Sequence, residues 1–416
     1  MSFQGVRINK INGGLGGAEN PDRVAVMVVG AGAIGDTLAV NAAYKLLQLA
    51  DAETLGITAE RDTADNRLDH YHLSEIFRLA PESVVWLISV PGVTKVSDLK
   101  NQADFLAAIR GIEGVNLIAE AGMANEVAAG ETSALAQAVT GAQLLVDALK
   151  ADHIYIDAFL VEGKGGYLPA ASAAISTYED LRELDSPNVS VIIGQDYGVS
   201  ILVPPNPNHA CVGSAVGMLL VRAVHENLGS VDIESKPSIR KGESDYTLTD
   251  TKLAKFVIAS LSNGRSFSTL SIADQKQLDL FGYIYVGAFA GYAGFFFSNS
   301  HTCEEQDSDY CFIERNCVWN KAARIIRRTL IPRVRSKVEA NPSTGYIKET
   351  TITDWDGRVR KALDPMRADG NVSGFDIFID PKQAAVSVSP FKINVKLVAN
   401  GVVHEFDVDL GFTNKI

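Results

Sequence analysis

The sequence predicts an α/β protein. We expect a mixed-sheet α/β outer domain, then an α+β inner C-terminal domain, with an extended N-terminal arm and a C-terminal β-hairpin for pairing between subunits. Three observations carry this reading. Short apolar runs alternate with amphipathic stretches from residue 22 to about 225, the pattern of buried strands and covering helices. After a polar stretch at 234–250 the pattern changes to short strands and a basic helix. The last 26 residues alternate apolar and polar about Asn400-Gly401, a strong hairpin signal because a type I′ turn needs φ > 0 at both positions.

Taken in order, residues 1–20 are small and polar, with Val6, Ile8 and Ile11 as aliphatic anchors and Asn20-Pro21 as a stop. They read as an arm without a core of its own. Within 21–250, strands are expected at 24–29, 84–90, 115–119, 154–160 and 189–193. Helices are expected at 37–49, 73–79, 102–109, 133–149 and 210–225. Within 251–390 come short strands at 283–286 and 292–297, a helix through the basic segment, a further helix at 353–367 and a strand at 374–379. Trp319, Ala322, Ile326 and Leu330 share one face of the basic helix, and Pro332 interrupts it.

Residues 391–416 form the terminal ribbon. Folded on Asn400-Gly401, it would set Lys396 opposite Glu405 and Lys392 opposite Asp409 on one face. On the other face Val395 would meet Phe406 and Ile393 would meet Val408. Such a ribbon is marginal alone and needs a sheet to join. Its apolar residues Ile393, Val395, Phe406 and Val408 are therefore expected at a subunit interface.

Charge narrows the function. The chain of 416 residues carries a net −12, which argues against broad nucleic-acid binding. Residues 314–337 hold eight basic residues and one acid, a local +7, so the rest carries −19. Arg324, Arg327 and Arg328 are expected to meet acidic partners, another copy of the chain among them. No apolar run reaches a membrane span, and the start lacks the apolar stretch of a secretory signal. Synthesis in the cytoplasm is the expectation. Four cysteines do not suggest a disulfide scaffold.

Few motifs carry chemistry. Gly30-Ala-Gly32-Ala-Ile-Gly35 follows a strand and precedes an expected helix, the setting of a dinucleotide-binding turn. Its acid would be Glu60 or Asp62, after a second strand at 54–58. This keeps one alternative open, an NAD(P)-dependent oxidoreductase using Gly30, Gly32 and Gly35. Against it, Asp36 puts a negative charge where the pyrophosphate would lie. His301, Cys303, Cys311 and Cys317 are too widely spaced for a structural zinc site and read as packing residues. His209, Cys211, His70 and His72 lack a marked catalytic partner. We expect neither metal nor cofactor.

Two stretches carry a resemblance. One is Tyr292-Ala-Gly-Phe-Phe-Phe-Ser-Asn-Ser-His301. The other is 309–332, which holds Arg315-Asn-Cys-Val318, Lys321-Ala-Ala-Arg324 and Leu330. These resemble the inner C-terminal domain of contractile tail sheath proteins. The 375–380 strand and the closing ribbon resemble the end of that domain. In the first half, Ala52-Glu-Thr-Leu-Gly-Ile57 and Tyr71-His-Leu-Ser-Glu-Ile-Phe77 are similar to the outer part of sheaths from phages and phage-derived injection particles. The resemblance implies mechanical work without catalysis. Subunits would stack as hexameric rings in a helical array around an inner tube, linked by exchanged strands. Baseplate and terminator or cap proteins would bound the array, no nucleic acid would bind, and the target membrane would be met only indirectly. Assembly into a virion tail or injection particle is the implied destination.

Overall fold

The computed structural model describes residues 22–130, 132–202, 209–386 and 389–412. The run Ala25–Val29 forms β1, buried at every position because it lies mid-sheet with both faces covered. After it come β2 (Ala43–Leu46), α1 (Leu49–Thr54), α2 (Ala59–Asp65), α3 (Asp69–Leu79), β3 (Val85–Ser89), α4 (Ala103–Arg110), β4 (Leu117–Ala121), α5 (Ala134–Ala151), β5 (Ala158–Glu162) and β6 (Val189–Ile192). These strands make one sheet in the order β2-β3-β1-β4-β5-β6. All pairs are parallel except β2 with β3. Val26 stands between Trp86 and Ile118 in this register.

Alternate residues serve opposite faces. Val26, Val28, Ile118, Phe159 and Val191 share a core with Phe105 and Ile109 of α4 and with Leu135, Val139, Leu145 and Leu149 of α5. Each such leucine contributes about 1.5–3 kcal/mol by leaving water. The Ser133 hydroxyl starts α5 by accepting from the Ala136 N–H at 2.9 Å.

Beyond β6 lie β7 (Gly194–Asp196), α6 (Tyr197–Leu202) and α7 (Val212–Leu220). Helix α7 packs against β4, β5 and α3. It approaches α3 so closely that a Cβ on Gly213 would stand 2.3 Å from the His72 carbonyl oxygen. Next come β8 (Ala259–Leu261), paired with β7, then α8 (Ile272–Leu280), β9 (Val286–Gly287) and β10 (Phe296–Phe297).

The chain divides into two compact units, Met1–Asn320 and Lys321–Ile416. Leu261, Leu278, Tyr283 and Tyr285 join the same core as β5 and β6, so the polar stretch 234–250 and residues 251–320 lie within the first unit. Helix α9 (Ile313–Leu330) runs across the division. The second unit adds α10 (Glu349–Ala368), β11 (Val372–Phe378) and β12 (Asn394–Ala399). Pro365 lies in the last turn of α10 without ending it early.

Three expected elements are corrected. Residues 37–49 do not form a helix; Ala43–Leu46 is drawn onto the open edge of β3 as an antiparallel strand. Residues 54–58 are not a strand but the end of α1 and the turn into α2. The ribbon does not fold on Asn400-Gly401. Strand β12 pairs instead with β11, setting Val395 opposite Ile377 and Leu397 opposite Phe375. Neither Asn400 nor Gly401 takes the positive φ that a type I′ turn requires. The Asn400 side chain accepts from the Ser373 hydroxyl at 2.7 Å and donates to the Gly370 carbonyl, which ties it to the start of β11.

Candidate assembly interface

The alternating run 391–398, which holds most of β12, turns one row inward. Phe391, Ile393, Val395 and Leu397 are half-buried, while Lys392, Asn394, Lys396 and Val398 face out. Phe391 packs against Trp355 of α10 with the rings tilted and their centroids 5.4 Å apart. Trp355, Val359, Leu363 and Met366 supply the buried face of α10 within the same unit. Ile393 and Val395 are thus partly engaged inside their own unit.

The residues that follow are the opposite case. The described part of the tail, 401–412, forms no strand. Phe406 is 82% exposed, Val408 75% and Leu410 96%. The alternation of 404–410 is intact in sequence, yet its apolar row has nothing to cover it within the described chain. An alternating segment with unpaired backbone is a template for adding to another sheet. The structure therefore separates the four expected ribbon contacts into two pairs: Ile393 and Val395 against their own unit, Phe406 and Val408 in solvent. Val6, Ile8 and Ile11 lie outside the described residues.

The basic stretch of α9 presents a second surface. Of the expected apolar stripe, Ala322 is buried and Ile326 and Leu330 are half-buried, while Trp319 is exposed. Arg324 is half-buried; Arg327 and Arg328 are exposed. At the C-terminal end of a helix these cations also oppose the negative end of its dipole. Within the second unit, Arg333 reaches Asp354 at 3.9 Å, and Arg358 holds Asp354 at 2.9 Å.

The glycine motif builds no nucleotide cradle. In a doubly wound sheet the ligand crevice opens where strand order reverses, here at the carboxyl ends of β1 and β4. Gly30 fills that point itself. Its N–H donates to the Ala121 carbonyl at 3.4 Å, and a Cβ there would lie 2.6 Å from the Gly122 oxygen. No helix N-terminus follows to receive a pyrophosphate. Gly35 instead takes φ of +47° in a turn closed by Ile34–Leu38 hydrogen bonds, and Gly32, at +71°, donates its N–H to the Val90 carbonyl at 3.0 Å.

Beside this point a cavity of about 200 Å³ is lined by Arg67, Asp69, His72, Glu162, Lys164 and His209. Arg67 holds Asp69 at 2.5 Å. Glu162 accepts the backbone N–H groups of Gly122 and Ala210. Beneath lies Glu120, 1% exposed. One of its oxygens accepts from the Glu162 N–H at 2.8 Å, and the other has no partner among the described residues. Burial pushes its carboxyl up to about 7; Lys164 opposes that shift and the charge of Glu162 adds to it.

His301 is fixed between Asp279, at 2.5 Å from Nε2, and Arg182, at 2.7 Å from Nδ1. Arg182 also donates to the Glu304 carbonyl, so this chain pins the 301–311 loop. Cys303, Cys311 and Cys317 are free and buried. Burial pushes the Cys317 thiol up to about 12, against the pull of the Arg23 guanidinium 3.1 Å away. Among the described residues no group of three or more His, Cys, Asp or Glu is placed to share a metal ion.

Solved structures show the same fold. A chain of the anti-feeding prophage baseplate, seen by cryo-electron microscopy, superposes with a TM-score of 0.58 at 13% identity, over 100% of both chains. A chain of the sheath complex of the extracellular contractile injection system PVC, in its contracted state, matches at 0.58 and 13%, over 100% of this chain and 98% of that one. Comparison with curated protein sequences finds no match. The family description "DUF2586, N-terminal domain" matches residues 3–301, and "DUF2586, C-terminal domain" matches residues 309–416. Matched across both parts, the chain belongs to the DUF2586 family.

Proposed function

We propose that this chain is the structural subunit of a contractile sheath. It polymerises as a helical stack of hexameric rings around an inner tube and contracts to drive the tube through a target membrane. The observation that carries the reading is the full-length likeness to a chain of a contracted sheath complex. The exposed, alternating, unpaired tail at 401–412 supports it, because it suits strand addition between identical chains. Phe406 and Val408 seat on a neighbour's sheet, and Val6, Ile8 and Ile11 anchor the arm at 1–20 in the same way. Arg324, Arg327 and Arg328 face acidic partners, either the tube or a neighbouring copy. Baseplate and terminator proteins close the ends. Work comes from rearranged interfaces, with no catalytic step.

Negative-stain electron microscopy of the purified protein tests this. Tubes or stacked rings are expected; isolated globules under all assembly conditions would overturn it. NADH should leave the melting midpoint unchanged, since the Gly30–Gly35 turn offers no cradle through which a nucleotide could stabilise the fold by mass action.

A further inference from the structure

A cavity of about 170 Å³ lies in the first unit, beside the start of α9. Three aromatic rings line it. Trp319 meets Tyr155 edge-on with centroids 6.3 Å apart, and Tyr310 likewise at 6.4 Å. Trp319 and Tyr310 are each 38% exposed, so the rings are open to solvent. Three asparagines line the same cavity. Each turns its amide nitrogen onto a backbone carbonyl. Asn188 and Asn320 both donate to Ile156 at 3.0 Å, and Asn316 donates to Pro187 at 2.7 Å. An amide nitrogen must face a carbonyl, so this fixes the flip of all three groups. Their amide oxygens receive no donor from the described residues.

The chemistry of the occupant follows. The cavity is smaller than the ~300–1,000 Å³ of ordinary small-molecule sites, so it suits a single ring. No carboxylate lines it, and the Lys150 ammonium already stands 5.6 Å over the Trp319 ring. A cationic ligand is disfavoured on both counts. A proline-rich peptide offers mainly carbonyl acceptors, whereas the site offers unused acceptors. We infer that the cavity is a carbohydrate subsite: one pyranose ring lies with its C–H face on Trp319 and donates hydroxyl protons to the asparagine oxygens.

Saturation-transfer NMR on the full-length protein tests this. The probes are methyl glycosides of glucose, galactose and N-acetylglucosamine, with soluble peptidoglycan and lipopolysaccharide fragments as glycan-borne rings. Ring C–H signals from at least one probe are expected. A response to the glycosides places a free sugar there, and a response confined to the fragments places the end of a glycan. Trp319→Ala should weaken the response by roughly threefold or more, and Lys150→Ala should strengthen it by uncovering the indole. If Trp319→Ala does not fold, Tyr310→Ala carries the same expectation. Silence from every probe, or equal signals in the ring variants, would overturn the assignment.

Discussion

Glu120 is an acid buried in an environment that its type does not lead one to expect. It sits on β4, in the middle of a parallel sheet, with one oxygen unpaired among the described residues. Its carboxyl is raised to about 7, chiefly by burial. A raised pKa means that the folded state holds the proton more tightly than the unfolded chain. The stabilisation is therefore complete below the unfolded value near 4.5 and is lost as pH rises through about 7. Glu120→Gln imitates the protonated side chain. It should flatten the fall of the melting midpoint between pH 5 and 8 and raise the midpoint at pH 8. An unchanged slope would mean that the carboxyl is not the source. Some slope will remain, because Asp62 is also raised, to about 6, mainly by burial. Glu120 did not stand out in the sequence, and Asp62 did so only as a candidate acid for the glycine motif. Their spacing is unremarkable, and their surroundings arise only when α3, β4 and β5 come together.

The elements were legible where an apolar run had to be buried and illegible where a partner had to be chosen. β1, β3 and α5 follow directly from apolar continuity or helical period. The stretch 37–49 carries residues that suit a helix, yet β2 forms there because the edge of β3 offers unpaired backbone; local propensity yields to a tertiary ladder. The ribbon shows the same limit. Alternation revealed two strand-like segments but could not say whether β12 would pair with the tail or with β11. That choice predicts a separation of effects. Val395→Asp puts a charge into the half-buried row opposite Ile377 and should destabilise the second unit by about 1–2 kcal/mol in denaturant titration. Phe406→Asp changes a side chain in solvent. It should leave that titration unchanged while abolishing polymer in sedimentation. Equal destabilisation by both would show that the tail packs within its own chain. Arg327→Glu with Arg328→Glu, both exposed, should likewise spare folding and weaken assembly most at low salt, where surface charge is least screened.

Across the whole molecule, the charge and the unpaired tail act together. The chain carries −12 overall against a local +7 at 314–337. Copies with such unlike regions attract one another at chosen contacts while repelling elsewhere, which favours ordered assembly over aggregation. Attraction alone is screened by salt and cannot hold a polymer that moves. A strand exchanged between chains can, because its hydrogen bonds survive while the bodies shift. Removing residues 401–416 separates the two contributions. β11 and β12 remain paired in that truncation, because their register ends at Ala399, so the protein should melt as the full chain does. Electron microscopy should then show salt-sensitive clusters or single subunits and no tubes. Tubes of normal length from the truncated protein would place the joint elsewhere and leave the arm at 1–20 as the remaining strand donor.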